Sequence, residues 1–251
     1  MKLRRLYPEP GELTPEEATS GLRLGELAPP DRPYLVLNMV ETLDGRIAID
    51  GRSGSIGNPA DRELFHGLRT QGDAVMAGAG TVRTERYGRM TKNDELRARR
   101  ERDGLAPDAV AIVVSGRLNL PPDLPLLQDP ESHVVVLTSS DAEPPDVPAR
   151  LEVLRGEPAP DAGVVLTPLL KRVREEYGIR SIVCEGGPAL NHGLLREHLV
   201  DELFLALSPK LAAGEPLTVV TGTGLRPAVD LEMMSAFENE GHLFMRYRLT
   251  G

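Results

Sequence analysis

The chain has 251 residues, a formal net charge of −9, 40% hydrophobic and 27% charged residues, one cysteine and no tryptophan. That balance suits a globular fold with an aliphatic core rather than a disordered chain, and a single thiol excludes an intrachain disulfide or a zinc site built on two or more thiolates. Net negative charge makes duplex nucleic acid a poor partner, so any anionic cofactor must be met by local arginines and helix N-termini.

The N-terminus, MKLRRLYPEPGELTPEE, has two arginines but no apolar segment behind them and does not read as a signal peptide. No stretch approaches the ~18 apolar residues of a membrane span, which sets a cytoplasmic expectation. Residues 1–32 are polar, hold five prolines and are expected to be an irregular extension with one short helix from Pro15. PYLVLNMV (33–40) is a short apolar run rich in strand formers and predicts a buried strand. After a turn-rich segment, Asn58 and Pro59 supply an N-cap and a first-turn proline for a helix over 59–71, with Leu64, Phe65 and Leu68 as its apolar face. DAVMAG (73–78) predicts a second strand, and the charge-laden stretch 91–103 a solvated helical face.

AVAIVVS (109–115) and HVVVLT (133–138) predict further buried strands. The proline-rich span 141–163 suits a surface connection with one short strand at 151–154, followed by a helix at 168–177 and a strand at 179–184. Gly186, Gly187 and Pro188 then turn into another helix, and 201–208 predicts a strand. The C-terminal segment reads as two strands around a turn near Asn239–Gly241, with Leu243, Met245, Tyr247 and Leu249 on one half-buried face. Strands alternating with helices before a closing hairpin predict a mostly parallel sheet with antiparallel strands at one edge, in one domain over 33–251.

Three turns follow predicted strands, where ligands of open α/β sheets sit. The first, Glu41–Ala48, places Thr42 and Asp44 beside an Asp-Gly turn; it is either a tight turn with Asp44 holding backbone amides or a loop closing over a planar ligand. The second, Gly78-Ala79-Gly80-Thr81-Val82, lets backbone amides approach a phosphate, although it lacks the third glycine of the dinucleotide fingerprint. The third, Glu185-Gly186-Gly187-Pro188-Ala189-Leu190-Asn191, again runs from strand through paired glycines into a helix. Two such turns in one sheet make a phosphate cradle more credible than either alone. Gly222-Thr223-Gly224 reads as a loop, and five scattered histidines predict no metal site.

Taken in order, TLDGRIA, DRELFHGLR, DAVMAGAGTV and EGGPAL resemble the C-terminal reductase domain of the bifunctional riboflavin biosynthesis deaminase–reductase and stand-alone pyrimidine reductases of that family, over about residues 33–250. The resemblance implies a dihydrofolate-reductase-like three-layer α/β fold, a homodimer, and NADPH-dependent reduction of 5-amino-6-(5-phosphoribosylamino)uracil to its ribitylamino product. It places Ser53, Arg69 and Glu185 toward the phosphorylated substrate, with Thr42 beside them. Val40, Ser55, Thr81, Ser115 and the run from Gly187 to Gly193 face NADPH, and Ala48, Gly78, Gly80 and Gly186 join that wall. Charge and placement add Arg117 as a contact for the 2′-phosphate. Asp44 and Glu185 are the candidate proton donors. Where the family follows Gly-Thr-Val with an acidic pair and proline, this chain has Arg83-Thr84-Glu85-Arg86-Tyr87-Gly88. That altered loop leaves two alternatives open, a pterin or dihydrofolate-type reductase and a non-catalytic NADPH-binding protein.

Overall fold

A computed structural model describes residues 1–160, 163–214 and 217–250. The chain opens with β1 (Leu3–Tyr7), β2 (Gly11–Leu13) and α1 (Pro15–Thr19), and enters its central strand at β3 (Tyr34–Thr42). Helix α2 (Pro59–Arg69) leads to β4 (Ala74–Gly78), α3 (Ala79–Thr84), α4 (Asp94–Arg102), β5 (Val110–Val114), α5 (Pro125–Gln128), β6 (His133–Thr138) and β7 (Arg150–Arg155). A two-residue pair, β8 (Pro158–Ala159) and β9 (Gly163–Val164), precedes α6 (Thr167–Tyr177), β10 (Ser181–Cys184), α7 (Pro188–Arg196), β11 (Glu202–Ser208), β12 (Asp230–Asn239) and β13 (His242–Thr250).

Among the described residues, eleven strands form one sheet in the order β2-β1-β12-β13-β11-β3-β10-β4-β5-β6-β7. Pairings from β11 to β7 are parallel, and those from β11 out to β2 are antiparallel. The parallel strands read as unbroken apolar runs because both faces are covered. On one face Leu35, Met76, Ile112, Val135 and Ile182 pack under Leu169 and Val173 of α6 and Leu190 and Leu194 of α7. On the other, Val75, Val113 and Val136 pack against Val82, Leu118, Leu126 and Leu127. This is the expected three-layer α/β arrangement.

Local chemistry explains the helix boundaries. The Asn58 side chain accepts the Asp61 amide at 3.0 Å ahead of Pro59, which starts α2. Gly178, at φ +66°, ends α6 in the left-handed conformation that glycine adopts without penalty.

Two expectations are revised. Residues 1–32 are not irregular: β1 pairs with β12 on one side and the edge strand β2 on the other, and Leu3 is fully buried beside Ala60, Leu64 and Phe244. A short, arginine-bearing strand with one core side chain has no periodicity to read. On β13 the face of Leu243, Met245, Tyr247 and Leu249 is half-buried as expected, and Phe244 on the opposite face is buried. Helix α4 is not solvated all round: Arg99 and Arg100 are buried, and Arg100 donates to the Arg69 and Gly72 carbonyls at 2.7 Å each and to the Ala106 carbonyl at 2.7 Å. Burial lowers the Arg100 pKa to about 10, so the guanidinium stays charged at neutral pH and closes the C-terminal end of α2.

Candidate active site

A cavity of about 1190 Å³ runs along the carboxyl ends of β3, β4, β5 and β10. The two glycine turns, about a hundred residues apart in sequence, meet here because β4 and β10 are neighbours. The Gly78 amide donates to the Gly186 carbonyl at 2.8 Å and joins the turns. Gly187, at φ +98°, lies so close that an added Cβ would stand 3.3 Å from Thr81 Oγ1 and 3.7 Å from Gly78 Cα. Helix α7 then starts at Pro188 with no side chain capping it, leaving its first amides facing the cavity wall formed by Pro188, Ala189 and Leu190.

Of the residues singled out in the sequence, Val40, Ala48, Ser53, Arg69, Gly78, Gly80, Thr81, Ser115, Arg117, Glu185 and Gly187 also line this cavity. Five do not. Thr42 and Asp44 build the turn itself: the Thr42 hydroxyl donates to Asp44 at 2.5 Å, and the Ala212 and Ala213 amides donate to the same carboxylate. Those bonds hold the Asp44 pKa down to about 2, so it carries no proton to give near neutral pH. Ser55 is exposed, with its carbonyl accepting from Lys210 Nζ at 2.6 Å. Gly186 lies under Met39, and Asn191 is buried with its amide donating to the Val219 carbonyl at 2.8 Å. His192, whose ring nitrogen lies 2.7 Å from the Thr223 carbonyl, ties the Gly222-Thr223-Gly224 loop to α7, and Asn191 holds the chain just before it at Val219. A Cβ at Gly222 would fall 2.4 Å from the His192 ring.

Arg69 and Glu185 face one another rather than acting separately. Arg69 Nε and Nη2 reach the two Glu185 oxygens at 2.5 and 2.7 Å, and Nη1 donates to the Met90 carbonyl at 3.2 Å. The guanidinium lies between the Phe65 ring, 4.7 Å from its centroid, and the Tyr87 ring at 5.3 Å. The Tyr87 hydroxyl donates to the same carboxylate at 2.7 Å. Burial works against the Arg69 charge, but the Glu185 carboxylate more than offsets it and raises the Arg69 pKa. Burial, then the same carboxylate, pushes the Tyr87 pKa well above 10. The altered loop thus has a physical function: Tyr87 braces Glu185, and Glu85 accepts from the Ser53 amide and hydroxyl at 2.9 and 3.0 Å.

Several cavity residues were not foreseen. Asn38 was hidden in the run PYLVLNMV, although one amide inside a buried apolar strand is the signal that finds it; its Nδ2 is buried without a partner among the described residues. His66, Lys92, Asp61, Glu85 and Tyr87 also line the wall. Burial, then Arg69, Lys92 and Arg62, lowers the His66 pKa to about 4, and burial followed by Arg69 lowers that of Lys92. In all, eight basic side chains line the cavity (Arg62, Arg69, Arg83, Arg86, Arg89, Lys92, Arg117 and Arg196) against three acids, Asp61, Glu85 and Glu185. In a chain of net charge −9, this local excess fits an anionic ligand. The welded turns and the uncapped α7 fit the phosphates of a dinucleotide. No group of three or more His, Cys, Asp or Glu able to hold a metal ion occurs among the described residues, and no described helix is long and apolar enough to cross a membrane.

Comparison with known proteins agrees with this geometry. The chain is 31% identical over 224 residues to the 2,5-diamino-6-ribosylamino-4(3H)-pyrimidinone 5′-phosphate reductase of Methanothermobacter thermautotrophicus, covering 88% of this chain and 100% of that protein. It is 31% identical over 184 residues to the Archaeoglobus fulgidus protein of the same name, covering 73% and 83%. A solved pyrimidine reductase-like protein from Corynebacterium diphtheriae shares the fold with a TM-score of 0.78 at 20% identity, covering 95% of this chain and all of that one. Residues 33–243 match the RibD C-terminal domain model, and the chain belongs to that family.

Proposed function

We propose that this protein is an NADPH-dependent reductase of the riboflavin route, converting 5-amino-6-(5-phosphoribosylamino)uracil to the ribitylamino product. The observation that carries this reading is the cationic cavity built on two welded glycine turns, with Arg69 held flat and charged by Glu185. NADPH, when bound, supplies hydride to the sugar carbon of the ring-opened imine. Gly78, Gly80, Thr81 and the start of α7 would hold its phosphates, with Arg117 as the exposed cation for the 2′-phosphate. The remaining Nη hydrogens of Arg69, together with Lys92 and Arg62, would meet the substrate phosphate, and Ser53 would meet its polar edge.

A second ring form has a specific observation behind it. The two archaeal relatives are named for the 2,5-diamino compound, which carries an amino group where the uracil has an oxo group. The test follows NADPH oxidation with each ring form and with dihydrofolate. Turnover of either pyrimidine supports the reading, and the faster one names the substrate. Preference for dihydrofolate would overturn it, and NADPH binding with no turnover would favour a non-catalytic role. A homodimer and a cytoplasmic location complete the proposal; the exposed Leu231 and Met233 on β12 support the former, and light scattering in solution checks it.

A further inference from the structure

A reductase that adds hydride to a C=N bond must also supply a proton to nitrogen, and most groups on the cavity wall are unable to do so. Glu185 is bound on both oxygens by Arg69 and Tyr87. Glu85 accepts twice from Ser53. The Tyr87 hydroxyl is committed to Glu185, and His66, lowered to about 4, is neutral at physiological pH. Asp44 lies off the wall and is fully ionised.

Asp61 remains. It sits three residues after the Asn58 cap, in the first turn of α2, and lines the cavity. Its carboxyl makes no side-chain hydrogen bond or ion pair among the described residues. Gly57 makes room for it: a Cβ there would stand 2.0 Å from Asp61 Oδ2. The charged groups acting on it are His242 of β13 and Arg62 of α2, and both favour the carboxylate. Burial outweighs them and raises the Asp61 pKa to about 6, the range in which a carboxyl both holds and releases a proton near neutral pH.

We propose that Asp61 is the proton donor of this site, delivering a proton from its carboxyl to the substrate nitrogen as the adjacent carbon is reduced. This inference rests on the reductase reading above. In balance, the C=N bond gains one hydride, with its two electrons, at carbon and one proton at nitrogen. NADPH leaves as NADP⁺, and the Asp61 carboxylate regains its proton from water.

Two measurements test it. The first needs no ligand: the aspartate side-chain carboxyls of the free protein are labelled with carbon-13 and titrated by NMR, in wild type and in Asp61→Asn. One resonance titrating near pH 6 in wild type and missing from the variant is expected; its absence from wild type, or its persistence in the variant, overturns the proposal. The second compares turnover with NADPH affinity read by fluorescence. Asp61→Asn should lower kcat by about 100-fold and flatten its fall at high pH, with NADPH affinity unchanged. If wild type turns over the pyrimidine and Asp61→Asn keeps its kcat and pH profile, Asp61 is not the donor and the reductase reading stands. If wild type turns over no pyrimidine at all, the reading falls and the donor assignment with it.

Discussion

Two carboxyls face the same cavity under opposite conditions. Glu185, at the end of β10, has a side chain 1% exposed and is saturated by Arg69 and Tyr87. Asp61, at the start of α2, is half-buried and has no hydrogen-bonding partner for its carboxyl among the described residues. Burial raises the Asp61 pKa where no cation stands close enough to offset it, whereas Glu185 lies against a buried guanidinium. Paired charge fixes geometry, because the carboxylate and guanidinium lock each other's rotamers between two rings. Unpaired burial produces a group that exchanges protons. One α2 helix serves both ends, with Asp61 in its first turn and Arg69 in its last.

The largest expected effect breaks the paired end. Glu185→Gln leaves the Arg69 guanidinium buried against a neutral amide, so unfolding free energy should fall by about 4 kcal/mol and turnover by well over tenfold. Near-wild-type kinetics would remove Glu185 from the working site, and unchanged denaturant stability would show that water reaches the guanidinium. Arg100→Met should cost about 3 kcal/mol, because it strips donors from the buried Arg69 and Gly72 carbonyls and from that of Ala106. The thermal midpoint reads it; a neutral outcome would mean that α2 needs no such closure. Tyr87→Phe keeps the ring beside Arg69 and deletes one hydrogen bond to a carboxylate, for about 2 kcal/mol. Its effect on kcat should exceed that on the KM for NADPH, since it loosens Glu185 and leaves the glycine turns alone.

What was legible in the sequence follows the same division. Strands covered on both faces announced themselves as apolar runs, and β3, β4, β5, β6 and β10 were read to within a residue or two. The glycine turns were visible because each follows such a run. Elements held by long-range polar contacts were not: β1 carries one core residue, β8 and β9 are two residues each, and Arg100 looks in sequence like any other charge in a solvated helix. Arg69 and Glu185 were both chosen, but nothing local says that residues 116 apart pair with each other. Asp61 was the hardest to see. An acid in the first turn of a helix is what the helix dipole alone would favour, so its position raises no flag until the cavity is known.

The smallest effect sharpens the unpaired end and has a sign that ordinary substitutions lack. The Asp61 pKa is raised in the folded protein, from an ordinary 3.8 to about 6. Below about pH 3 the carboxyl is protonated in both states and folding is indifferent to it. As pH rises toward 6 the unfolded chain ionises first, so this group progressively opposes folding, and above that the penalty is constant. Two units correspond to about 3 kcal/mol at most. The partly open position of the side chain reduces that, and an acid at this helix position returns up to about 1 kcal/mol through the dipole. Asp61→Asn should therefore stabilise the protein by about 1 kcal/mol at pH 8 and by nothing at about pH 3, measured by denaturant unfolding at both. A loss of stability at pH 8 would show that the carboxylate is solvated where it stands, and the contrast between the two ends of α2 would then reduce to geometry alone.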